Sequence, residues 1–146
     1  MMKVAIIRAD GDLQYEDVAR IELAYLRNQV AGHIEALRIP GTGITFYLNE
    51  DGKLLGLPVN ARATAIARRN RALSFTDAVV GNVVVVGPAD KHGDDTGLSR
   101  EQIVWLEKEL SVDEIMELLS PDPWGQAAAR PAGPPESRGD DEEADG

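Results

Sequence analysis

FYLNEDGKLLGLPVNARATAIARRNRALSFTDAVVGNVVVVG, residues 46–87, is the stretch on which the fold turns. Asp51-Gly52 stands between two apolar runs, the strongest short hairpin signal, because both central residues of a type I′ turn need positive φ. It predicts a strand over residues 44–49, a tight turn, and a return strand over residues 53–57 that Pro58 ends. Asn60 is placed to cap a helix over residues 61–72, its side-chain oxygen accepting a free N–H of the first turn. Residues 78–86 are then near-continuous apolar apart from Gly81-Asn82, the pattern of a central strand covered on one face or both. Gly81 inside that run signals a bulge or a close backbone approach.

Upstream, residues 2–8 are β-branched and apolar and are bounded by Asp10-Gly11, which predicts a strand, with a short return over residues 13–15. Leu23, Leu26 and Val30 recur at helical spacing and predict a helix over residues 17–31, with Gly32 as the left-handed residue after it. Residues 33–39 alternate as a strand, and residues 40–43 are a loop. Downstream, Ser99-x-x-Gln102 and Ser111-x-x-Glu114 both match a capping box. They predict two helices, over residues 100–110 with Ile103, Leu106 and Leu110 on one stripe, and over residues 112–119 with Ile115, Met116 and Leu119. Trp105 is expected on the core. Beyond Ser120 the chain is rich in Pro, Gly, Ala and acid, with Trp124 its one strongly apolar residue, and disorder is expected. The whole reads as an α+β fold: a mostly antiparallel sheet of four to six strands with packed helices, over residues 1–98. A C-terminal helical pair packed on it (99–120) and a disordered acidic tail (121–146) follow.

Composition narrows the classes. There is no cysteine, which excludes disulfides and thiolate metal sites. The longest apolar run, residues 83–86, is far short of the roughly 20 residues of a membrane span, so a cytoplasmic protein without a membrane partner is expected. The net charge of −10 is unevenly spread. Residues 1–89 hold ten Lys and Arg against nine Asp and Glu, whereas residues 90–146 hold five against sixteen. Acidity at the chain end weakens the reading of a rigid acidic nucleic-acid mimic, which needs carboxylates ordered like phosphates.

The polar residues of the opening stretch fall at element ends, where turn chemistry and binding sites both reside. Asn49, Glu50, Asn60, Arg62 and Thr64 are the first candidates for a pocket at one end of the sheet; for the asparagines the competing reading is turn and cap chemistry. Glu35 and Asp77 are candidate paired carboxylates, which catalysis would require to converge in a pocket. Arg62, Arg68, Arg69 and Arg71 are the one basic cluster; Arg62 and Arg68 with Asn60 could hold a small anionic ligand, such as a nucleotide phosphate, near a helix N-terminus. Without aromatic interleaving or a nucleic-acid motif, direct DNA binding is not expected. Asp90, Asp94 and Glu101 match three calcium-loop positions, but Asp95 stands where the turn glycine belongs and His92 where an oxygen ligand belongs, so no metal is expected. Gly41-Thr42-Gly43 lacks the Lys-Ser/Thr end of a phosphate loop, and no cofactor is expected.

Several blocks carry a family resemblance: the MKVAII start, Gly32-x-Ile34-Glu35, Asn49-Glu50-x-Gly52-Lys53-Leu54, Leu57-Pro58-x-Asn60 with Thr64, and Asp77-x-x-x-Gly81-x-Val83-x-Val85. With these, about residues 1–98 resemble the domain of unknown function 3846 family of bacteriophages, plasmids and bacteria. The resemblance implies an accessory, phage-encoded protein and brings no mechanism. Lacking a catalytic constellation, the chain is expected to bind a host protein and not to be an enzyme. The alternatives are a nucleotide-like ligand binder, an acidic nucleic-acid mimic, and a hydrolase using Glu35 and Asp77. The oligomeric state is unreadable, since the stripe of Ile115, Met116 and Leu119 suits another subunit as well as the same core.

Overall fold

The computed structural model describes residues 1–119, with side chains to Val112, and Met1–Asp113 form one compact unit. The elements are β1 (Met2–Ile7), β2 (Leu13–Val18), α1 (Leu23–Val30), β3 (Ile34–Ile39), β4 (Ile44–Asn49), α2 (Ala61–Arg69), β5 (Val83–Val86) and α3 (Arg100–Leu119). The strands form one antiparallel sheet in the order β2-β1-β5-β4-β3, so the fold is α+β as expected.

β5 is central because all four of its residues are apolar. Val83 and Val85 join Ala5, Ile7, Ile44 and Phe46 beneath Ala63 and Ile66 of α2 and Leu106 and Leu110 of α3. Val84 and Val86 join Val4 against Leu26 and Val30 of α1. Each of these valines is fully buried, at about 1.5–3 kcal/mol of transfer free energy apiece. Trp105 packs at the edge of the larger core, as expected.

The Asp51-Gly52 hairpin does not form. β4 already has β5 on one side and β3 on the other, so no slot remains for residues 53–57. Neither Asp51 nor Gly52 has positive φ; Gly56 does, at 69°. The Asn49 side chain instead accepts from Asp51 N–H at 2.8 Å, and the chain winds through turns closed by Leu55 N–H to Asp51 C=O and Leu57 N–H to Gly52 C=O. Gly52 is required for proximity: a Cβ there would lie 2.7 Å from Val80 Cγ2. The real hairpin joins β3 and β4 through residues 40–43, with Gly41 and Gly43 at positive φ and Thr42 Oγ1 donating to Ile39 C=O at 2.8 Å.

Other boundaries shift for identifiable reasons. β2 runs to Val18, because its full length pairs with β1 and Asp17 meets Lys3 at 3.1 Å, so α1 begins only at Leu23. The left-handed residue after α1 is Ala31 (φ 64°), not Gly32. α2 stops at Arg69, and the strand expected from Ala78 begins at Val83. Val80 makes only an isolated bridge to Val59, and Gly81 takes φ 78° where Leu57 passes within 2.9 Å of its virtual Cβ. The two C-terminal helices are one, α3. Ser111 lies inside it: no Gly or Pro interrupts residues 110–112, and serine mid-helix costs only about 0.5 kcal/mol. Ser99 does cap, its Oγ accepting from Gln102 N–H at 3.1 Å while Gln102 Oε1 accepts from Ser99 N–H at 2.9 Å. The expected tail, with Trp124, lies outside the described residues.

Candidate functional site

The hairpin of β3 and β4 sets Glu35 opposite Leu48 and Leu37 opposite Phe46, with Glu35, Leu37 and Leu48 on the face of the larger core. Past β4, the wound loop carries Glu50, Lys53 and Leu54 beyond the sheet end. After α2, residues 73–80 return along the same side. The space enclosed is a pocket of about 230 Å³. Its floor is apolar, from Leu37, Leu48, Leu73 and Val79, and its rim carries Glu35, Glu50, Lys53 and Asp77. Leu54, 89 % exposed, stands at the mouth, followed by Leu55 at 61 %. Phe75, 84 % exposed, lines a neighbouring groove with Arg68, Arg69 and Arg71.

Four of the eight sequence-derived candidates thus line one pocket: Glu35, Asn49, Glu50 and Asp77. Asn49 is there as a strut. It is buried, its Nδ2 donates to Val30 C=O (3.0 Å) and Ala31 C=O (3.3 Å), and so it closes the C-terminus of α1 onto the sheet. Asp77 is a latch. Its carboxylate accepts from the Lys53 ammonium and from Ala78 N–H at 2.8 Å, and its carbonyl accepts from Arg68 Nε at 3.0 Å. The Lys53 hydrogen bond, then that of Ala78, holds its pKa below the usual carboxylate value. A general acid needs the opposite shift, so the geometry does not favour Asp77 as a proton donor to a substrate. Glu35 and Glu50 are exposed, and their carboxylates have no hydrogen bond or ion pair among the described residues.

Of the other four candidates, Asn60, Thr64 and Arg68 serve the fold. Asn60 is fully buried: Oδ1 caps α2 by accepting from Ala63 N–H at 3.1 Å, while Nδ2 donates to Ile7 C=O (2.8 Å) and Gly81 C=O (2.9 Å). Thr64 Oγ1 accepts from Val79 N–H at 2.9 Å. Arg68 donates to Asp77, and Arg62 approaches the Gly11 turn. A phosphate at Asn60 and Arg68 would have to displace these bonds. The Asp90 loop is a self-closed turn, Asp90 Oδ1 accepting from His92 and Asp94 N–H. Among the described residues no group of three metal-ligating side chains is present, and no helix is long and apolar enough to cross a membrane.

Sequence reasoning missed Lys53, Leu54 and Phe75. Lys53 and Leu54 were absorbed into the expected return strand, which would have buried alternate residues. Phe75 carried a readable signal, an aromatic between Ser74 and Thr76 in a segment with no period.

A family model described as Domain of unknown function (DUF3846) matches residues 2–111. No curated protein and no solved structure matches the chain.

Proposed function

We propose that this chain, which belongs to the DUF3846 family over residues 2–111, is a small accessory protein that acts by binding another protein and not by catalysis. A protein of a bacterial host is the expected partner. The observation that carries the reading is the pocket itself: an apolar floor and two carboxylates without a partner among the described residues, with Leu54 held out in solvent at its mouth and Leu55 exposed next to it in the chain. A single exposed leucine is ordinary; adjacent exposed leucines at a pocket mouth mark a surface on which a partner removes apolar area from water. The hydrogen bonds of Asn49 to the end of α1 and of Asp77 to Ala78 N–H hold two parts of the lining in place, which lowers the ordering cost of binding.

The test is affinity capture from nuclease-treated bacterial lysate, with wild-type full-length chain beside the Leu54→Asp/Leu55→Asp variant. Both leucines are exposed, so the variant is expected to fold. A protein captured by the wild type and lost with the variant supports the reading. No captured protein, or the same capture by both, overturns it.

A further inference from the structure

Among the described residues the sheet has two unpaired edges, β2 and β3, and they differ. Every polar side chain of β2 is engaged within the protein: Gln14 accepts from Arg8 (3.1 Å), Tyr15 donates to Glu107 (2.8 Å), Glu16 accepts from Tyr25 (2.5 Å) and Asp17 pairs with Lys3 (3.1 Å). On β3, Glu35 has no such partner among the described residues.

The backbone of β3 is equally open. Glu50 N–H donates to His33 C=O at 2.8 Å, which sets the phase of the β3–β4 ladder. Hydrogen-bonded positions alternate in an antiparallel pair, so residues 35, 37 and 39 turn their backbone groups toward β4. The N–H and C=O groups of Ile34, Ala36 and Arg38 therefore point out of the sheet edge. The register is unbroken over all six residues, with no bulge to twist the edge away. Glu35 and Leu37 lie beside this edge and line the pocket. At the mouth Lys53 is paired with Asp77, and among the described residues neither Glu35 nor Glu50 has a cation of its own.

We infer that β3 accepts an extended peptide segment as an added strand, with a basic residue of the peptide opposite Glu35 and an apolar one opposite Leu37. Those two peptide residues stand two apart, so alternation puts both side chains on one face, over the pocket. Backbone pairing supplies affinity and the pocket supplies selection, the mode by which sheet edges take peptides. Opposite charges directly across a strand pair attract, and an acidic peptide would be repelled at both Glu35 and Glu50. The inference rests on the protein-binding reading and names the chemistry of its partner.

The test is an NMR titration of the isotope-labelled full-length chain with a capped threonine-rich peptide in which lysine and leucine stand two residues apart. A second peptide carries glutamate in place of lysine. With the basic peptide, the amides of Ile34, Ala36 and Arg38 gain protection from hydrogen exchange. Glu35→Lys weakens that peptide roughly tenfold and admits the acidic one. Ala36→Pro removes one outward donor at an edge where proline is tolerated, and abolishes the protection in a folded chain. The inference is overturned by any of four outcomes. These are binding without protection at β3, binding indifferent to the charge at residue 35, β3 amides already protected in a self-paired dimer, or no shift at about 1 mM peptide. If the peptide fails while lysate capture stays sensitive to Leu54→Asp/Leu55→Asp, strand addition falls and the protein-binding reading stands. If both fail, the reading falls too.

Discussion

Gly32 and Asn49 are fitted to each other: a Cβ on Gly32 would lie 2.6 Å from Asn49 Nδ2, the atom that donates to the carbonyls of Val30 and Ala31. Asn49 thereby satisfies carbonyls that the end of α1 leaves orphaned, that of Val30 inside the protein where water cannot reach it. Gly32→Ala must push that amide off its acceptors, and Asn49→Ala removes it outright. Each is expected to cost about 1–3 kcal/mol in urea unfolding. Because both changes break the same bonds, the double variant should cost much less than the two added together. Additive losses would show that the two residues act independently.

This pairing also marks how far the sequence could be read. Gly32 was legible as a junction residue, but the expected reason was its own dihedral. The actual reason is a side chain 17 positions away, which no local pattern encodes. The same holds at Asp51-Gly52. The dipeptide has hairpin chemistry, yet pairing on both sides of β4 is decided by β3 and β5. Caps are more local, and Asn60 and Ser99 do what their spacing predicts, while the same box at Ser111 is overridden where α3 runs on through it. Of the site, Asn49, Glu50 and Asp77 were legible as polar residues at element ends, and Glu35 as a candidate carboxylate partner of Asp77. That they share a pocket depends on the wound loop, which the hairpin expectation replaced.

Ala31 and Arg71 sit in the left-handed region at φ 64° and 61°, each just past a helix. Gly32 N–H to Arg27 C=O and Ala72 N–H to Ala67 C=O close those helix ends in the manner usually served by glycine. A side chain there costs about 1–2 kcal/mol, and glycine returns about 0.4–1 kcal/mol to the unfolded chain. Ala31→Gly and Arg71→Gly are therefore each expected to stabilise the protein by about 0.5–1 kcal/mol, seen as a raised thermal midpoint. A lowered midpoint would show that the strain is absent.

The Lys53–Asp77 latch makes one wall of the pocket sensitive to acid. Asp77 has a folded pKa below its ordinary 3.8, so the folded state holds fewer protons than the unfolded one as the pH falls. Its contribution is whole above the unfolded value and is lost as pH drops through the folded value. Both side chains are substantially exposed, so the effect is small and is screened by salt. Asp77→Asn should lower stability at neutral pH and low salt. Its stability curve should then converge with the wild type below about pH 4. Parallel curves down to low pH would remove Asp77 from the latch.

At the alkaline end, all three tyrosines are tied to carboxylates: Tyr15 to Glu107, Tyr25 to Glu16 and Tyr47 to Asp95. Burial, then the hydrogen bond to Asp95, pushes the Tyr47 phenol up to about 12; the same two causes, with Glu107 and Glu16 as partners, raise Tyr15 and Tyr25 further. In the unfolded chain the phenols ionise near 10, so between about pH 10 and 12 the unfolded state loses protons that the folded state keeps. The stability conferred by the raised pKa is complete below about pH 10 and declines from there. Ultraviolet titration of the native protein should show no tyrosinate at about pH 10, where denatured protein is half ionised. Tyrosinate should then appear together with loss of helical circular dichroism. Tyr47→Phe should remove one of the three delayed ionisations and make the alkaline decline shallower. Tyrosinate forming near pH 10 in a chain that keeps its helical signal would contradict the three pairings.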